Sequence, residues 1–187
     1  CWGLEELRAE SIMDLFNTGV NGSGTPLADG TIGDPHYTIT SVPGGTTDVR
    51  VRTSAGGFPI PPWLGNNATS AWIGPNNSAS LSSPAGNFTF QTSFTLPTEA
   101  DLSTVSISGD WASDNAGIDI LLNGNSLVGS GDVTAGELST GFTSFTSFSF
   151  GPSVPFFQTG TNTHGFVFNN APPSDSHPGL RLDHLNR

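Results

Sequence analysis

Hydrophobic and polar residues alternate one for one along several stretches of this chain. In the run from Asn87 to Leu96, Phe88, Phe90, Phe94 and Leu96 share one side, and Thr89, Gln91 and Thr95 take the other. A period of two is that of an extended strand with one buried face. Val105, Ile107 and Trp111 continue the pattern. Ile118, Ile120 and Leu122 are expected to point inward, with Asp119 and Leu121 facing away, and Phe148 with Phe150 and Phe166 with Phe168 extend the series. His164 shares the parity of Phe166 and Phe168, which places an imidazole where an apolar side chain is expected.

Nine strands are predicted: 36–42, 47–52, 70–73, 87–96, 103–111, 117–122, 142–150, 164–169 and 179–184. Gly, Pro and Asn-rich turns bound most of them, and their spacing is that of an antiparallel sandwich. Asn123-Gly124, between apolar flanks, signals a type I′ hairpin. Residues 3–16 are the one helix-like stretch, with Leu4, Leu7, Ile12 and Leu15 at roughly helical spacing. The chain therefore reads as a leader over 1–16 and a β-sandwich domain over 17–187. The fold class is all-β, an antiparallel jelly-roll sandwich with a short N-terminal helix. Each large inward side chain contributes roughly 1.5–3 kcal/mol on burial, so these residues together offset much of the ordering cost without disulfides.

Composition narrows the partners. With 187 residues the chain suits one domain. The formal net charge is −11, and the cations are five arginines without a lysine. Nucleic acid needs a basic face that this chain lacks, and anionic membranes are disfavoured for the same reason. Neutral polymers and cations remain. A single cysteine, Cys1, excludes an intrachain disulfide. It stands where a bacterial lipoprotein carries its lipid, but Trp2-Gly3-Leu4 is not a polar tether, so it reads as a processing remnant. No stretch is apolar enough to span a membrane, and no signal peptide is recognisable, as expected of a mature or truncated secreted chain.

Six segments in order carry a resemblance: LFNTGVNGSGTPLADGTIGDPHYTI, PPWLGNNATSAWIGP, PAGNFTFQTSFTLP, GDWASDNAGIDILLNG, GFTSFTSFSF and NTHGFVFNNAPPSDSHPGLRL. Together, over about residues 15–183, they resemble the extracellular domain of bacterial PEP-CTERM sorting proteins, which are exported to the surface or matrix and linked to exopolysaccharide production. GDWASDNAGIDILLNG is also similar to the galactose-binding-like jelly roll. These likenesses imply an extracellular or cell-surface bacterial protein, a β-sandwich, loop-borne glycan contacts and a structural Ca²⁺. The family's C-terminal anchor is not matched by the RLDHLNR at the end of this sequence.

Candidate site residues fall into two sets. Trp63 and Trp72 flank PPWLGNNATSAW. Aromatic faces on loops pack on sugar rings while amides such as those of Asn66 and Asn67 take hydroxyls; either tryptophan equally closes the end of the sandwich. Asp114 and Asn115, with Asp110 and Asp119 nearby, suit sugar hydroxyls or a cation, or cap their own turns. Arg181 offers a planar donor fork to a ligand or an ion pair to Asp183. The second set is metal-binding: Asp29 and Asp34 in the N-terminal loop, meeting Asp183 on the last strand by analogy with the galactose-binding-like fold, would hold Ca²⁺.

Three readings follow. The leading one is a secreted carbohydrate-binding or matrix module whose partner is a polysaccharide or glycan. The second is a hydrolase of glycosidic or ester bonds. It would draw its acids from Asp110, Asp114, Glu99 and Glu137, although no H-E-x-x-H or G-x-S-x-G motif is present and no catalytic residue is assigned. The third is a structural subunit that self-associates through sheet edges.

Overall fold

The computed structural model describes residues 12, 14–45, 47–76, 81–172 and 177–186. Among the described residues, ten strands form two antiparallel five-stranded sheets. The strands are β1 (Thr38–Ser41), β2 (Arg50–Arg52), β3 (Trp72–Gly74), β4 (Gly86–Leu96), β5 (Ile107–Asp114), β6 (Gly117–Leu122), β7 (Asn125–Ser126), β8 (Thr146–Phe150), β9 (Gly160–Asn170) and β10 (Gly179–Asn186). The first sheet runs β1-β4-β9-β6-β7 and the second β2-β3-β10-β5-β8. Consecutive long strands cross between the sheets, as in a jelly roll. One short helix, α1 (Leu127–Ser130), follows β7. No helix among the described residues is long and apolar enough to cross a membrane.

Each of the nine predicted strands has its counterpart. β4 and β9 pair without a break from Gly86↔Asn170 to Leu96↔Gly160 and form the centre of the first sheet. Phe88, Phe90, Phe94, Phe166 and Phe168 lie buried between the sheets, against Ile107, Trp111, Phe148, Leu180 and Leu182 of the second. Asn123 and Gly124 both have positive φ, 50° and 77°, and Leu122 pairs with Asn125 across them, the hairpin the Asn-Gly pair predicts. His164 is indeed inward. Its ring packs on Phe148, Phe150 and Phe166, and neither nitrogen has a hydrogen-bond partner among the described residues.

One inward assignment is corrected. Ile118 is exposed, whereas Ile120 and Leu122 are buried. The β6–β9 register shifts between Gly117 and Asp119. A bulge adds one residue to a strand and turns its neighbours over, so parity counted back from Leu122 fails there. The expected leader helix lies outside the described residues except at Ile12 and Asp14–Phe16, which are not helical; Ile12 and Leu15 are buried in the core.

Candidate functional site

Parity on the second sheet sets up the site. Val51, Ile73, Trp111, Leu180 and Leu182 point into the core, so Arg52, Trp72, Asp114, Arg181 and Asp183 point to the outer face. An outer face is normally wet, yet here Arg52, Trp72, Arg181 and Asp183 are at most 1% exposed and Asp114 5%. The connection from residue 53 to 71 covers them. It is tied down by Asn66, whose side chain donates to the Arg52 carbonyl at 2.7 Å and accepts from Trp72 N at 2.9 Å. Trp72 Nε1 donates to the Leu64 carbonyl at 2.7 Å, and Leu64 N to the Phe142 carbonyl at 2.8 Å.

Two buried arginines organise the floor beneath this connection. Arg52 Nε donates to the Asn76 carbonyl (2.6 Å) and Nη1 to the His177 carbonyl (3.0 Å), clamping the chain after β3 to the chain before β10. Burial lowers its pKa to about 9, against the opposing pull of Asp114. Asp114 in turn is pushed up to about 6 by burial, and the Arg52 charge only partly offsets this. Its Oδ1 has no hydrogen-bond partner among the described residues. Arg181 donates from Nε to Ser70 Oγ (2.8 Å) and from Nη1 to the Gly65 carbonyl, and its Nη2 stands 3.6 Å from Asp183 Oδ2. Its guanidinium also lies 4.9 Å from the Phe145 ring centroid.

The two tryptophans meet. Trp63 and Trp72 have ring centroids 4.7 Å apart, and Trp63 also packs on Phe58 at 4.9 Å and Phe142 at 5.4 Å. Trp72 is wholly buried, whereas Trp63 and Phe142 stay half-buried at the surface, beside the exposed Ile60, Pro61 and Pro62. Residues of the same loop also line a separate cleft of about 320 Å³, walled by Pro26, Thr53, Ser54, Pro59 and Asn66.

No family model matches the chain, and no curated protein or solved structure does either.

The geometry of the site joins some of the expected residues and separates others. Asn67, Arg181 and Asp183 come together: Asn67 Nδ2 donates to Asp183 Oδ2 at 2.6 Å, beside Arg181. Asn67 Oδ1 meanwhile accepts from Thr69 N and Ser70 N, an Asx turn. Asn115 is turned away, its N donating to the Asn169 carbonyl and its Oδ1 accepting from Ala171 N. Asp114 and Asp119 lie on different sheets, and Asp119 accepts from Ile120 N and Val128 N.

The expected calcium ligands do not converge. Asp29 accepts from Thr53 N. Asp34 accepts from the backbone N–H groups of Gly19, His36 and Tyr37, and burial raises its pKa. Asp183 accepts from Asn17, Asn67, Thr69 and His184 N. Burial pushes its carboxyl up, but these bonds outweigh it and hold the pKa low. Among the described residues no three His, Cys, Asp or Glu side chains group as metal ligands would. A cation on Asp34 or Asp183 would displace N–H and O–H donors already in place, so the donor set does not fit Ca²⁺. The N-terminal segment touches β10 through Asn17 to Asp183 and through Leu182 N to Thr18 Oγ1 at 3.0 Å, rather than through Asp29 or Asp34.

Two of the acids considered for hydrolysis, Asp110 and Glu137, are engaged locally. Asp110 accepts from Ser147 Oγ at 2.5 Å and faces His184 Nδ1 at 3.2 Å. The carboxylate stands between hydroxyl and imidazole, so the imidazole is not placed to take the serine proton. Glu137 accepts from Thr134 N and Ser149 N, and its pKa is low because these bonds outweigh burial.

Arg52, Phe58, Phe142 and His177 were not among the sequence candidates. The alternation Arg50-Val51-Arg52 puts Arg52 opposite in parity to a core valine, a signal for the outer face. Its burial depends on the 53–71 connection folding back over the sheet, with Asn66 bonded to the Arg52 carbonyl, and that had no local sequence signal.

Proposed function

We propose that this protein is an extracellular bacterial carbohydrate-binding module, and that its ligand rests on the 58–67 loop and Phe142. The observation that carries the reading is the half-buried Trp63. Its ring is fixed from behind by Trp72 and Phe58, stands 29° from the plane of Phe142, and belongs to the same loop whose Pro59, Gly65 and Asn66 line a cleft. A pre-ordered aromatic face beside hydroxyl and amide groups is the chemistry that holds a sugar ring. The likeness of the sequence to PEP-CTERM extracellular domains supports the location and a polysaccharide as partner.

The test is retention on a panel of insoluble polysaccharides and a glycan array, each run with and without Ca²⁺. The wild-type chain is expected to be retained on at least one polymer, and Trp63→Ala to lose that retention at least tenfold. Trp63→Phe keeps an aromatic face and retains part of it. Failure of the wild type on the whole panel, or equal retention by Trp63→Ala, contradicts the reading.

A further inference from the structure

We propose that the polysaccharide held by the 58–67 loop is uncharged, and that chains bearing uronate or sulfate groups are rejected. The inference rests on the binding reading above and adds the substrate class.

Carboxylate and sulfate groups are held most strongly by a cation with donors left over. An anion moved onto a partly dry surface without one loses hydration that nothing replaces. The loop region does contain cations, since Arg52 and Arg181 both lie beneath it. Both are spent on the protein itself. Arg52 is fully buried, with Nε and Nη1 on the carbonyls of Asn76 and His177. Arg181 directs Nε to Ser70, Nη1 to the Gly65 carbonyl and Nη2 toward Asp183. The third arginine of the described residues, Arg50, stands 3.7 Å from Asp48 on edge strand β2. Arg8 and Arg187 lie outside the described residues.

What the cleft offers a ligand is different in kind. Its walls are the proline rings of Pro26 and Pro59, the hydroxyl-bearing Thr53 and Ser54, and Asn66. Among the described residues no ionisable side chain lines it. These groups complement sugar C–H faces and hydroxyls and give an anion no counter-charge. The chain as a whole carries a formal −11, which repels a polyanion before contact is made. A neutral chain meets neither obstacle, and its binding should be nearly independent of salt.

The experiment compares retention on neutral polymers (cellulose, xylan, mannan, galactan) with retention on polygalacturonate, alginate and carrageenan, at low and high NaCl. The wild type is expected on one or more neutral polymers, with retention changing less than about twofold across the salt range, and at least about tenfold weaker on every polyanion. Ser54→Arg, which adds an unspent cation at the cleft, is expected to gain polygalacturonate retention that high salt removes. Wild-type retention on a polyanion equal to that on the neutral set overturns the inference and leaves the binding module standing. A Ser54→Arg variant with no gain shows that the cleft is not where charge is read, and also overturns it. No retention on any polymer overturns both.

Discussion

The Arg52 guanidinium lies across Gly74 of the neighbouring strand, so close that a Cβ at position 74 would stand 2.3 Å from Nη2. Only a glycine lets the clamp between the Asn76 and His177 carbonyls lie against the sheet. Arg52 is buried and held at both ends of its fork, so it cannot swing aside cheaply. Gly74→Ala is expected to destabilise the protein by roughly 2–4 kcal/mol, measured by urea denaturation. A change below about 0.5 kcal/mol would show that the clamp contributes little.

His164 carries a second prediction. Burial in the aromatic core lowers its pKa from 6.5 to about 3. The folded state thus holds it neutral while the unfolded chain takes up a proton below pH 6.5. Stability from this group is complete above pH 6.5 and is lost as pH falls toward 3, by at most about 5 kcal/mol. His164→Leu removes two unpartnered nitrogens from the core. It should raise stability at pH 7 by roughly 1–2 kcal/mol and flatten this acid limb. An acid limb of unchanged slope would contradict the assignment.

Asp114 should act with the opposite sign. Its folded pKa, about 6, lies above the ordinary 3.8, so the stability it contributes is present below 3.8 and lost as pH rises through 6. Asp114→Asn should match the wild type near pH 4 and exceed it by about 1–3 kcal/mol above pH 7. Carboxyl titration by NMR reads the same group directly, and a midpoint near 4 would refute the shift.

The parity of the strands was readable from the sequence because each long strand buries one face, and a period of two then repeats in the residues themselves. Phe88, Phe90, Phe166, Phe168 and even His164 fell on the expected side. Ile118 did not, because the bulge at Gly117–Asp119 shifts the count by one and leaves no local trace. The site was legible only in part. The pairing of Trp63 with Trp72 and of Arg181 with Asp183 follows from their being two to nine positions apart. The covering of the outer face by the 53–71 connection is a tertiary event, and it is what turns Arg52, Arg181 and Asp183 from surface residues into a buried floor.

That floor also bears on the metal. Asn17, Asn67 and Thr69 occupy the Asp183 carboxylate, so a chelator should leave the melting temperature unchanged within about 1 °C, whereas Asp183→Ala, which strands the buried Arg181 charge, should cost about 3–5 kcal/mol. A fall of several degrees with EDTA would establish a bound cation after all.

The most direct measurement is an NMR titration of the ¹⁵N-labelled protein with an oligosaccharide of whichever polymer retains it. Amide and indole shifts are expected to concentrate in residues 58–67, with the Trp63 indole and Phe142 among the largest, and to leave the outer face of the first sheet, around Thr89 and Thr163, still. Shifts gathered on that opposite face, with Trp63 unmoved, would contradict the account.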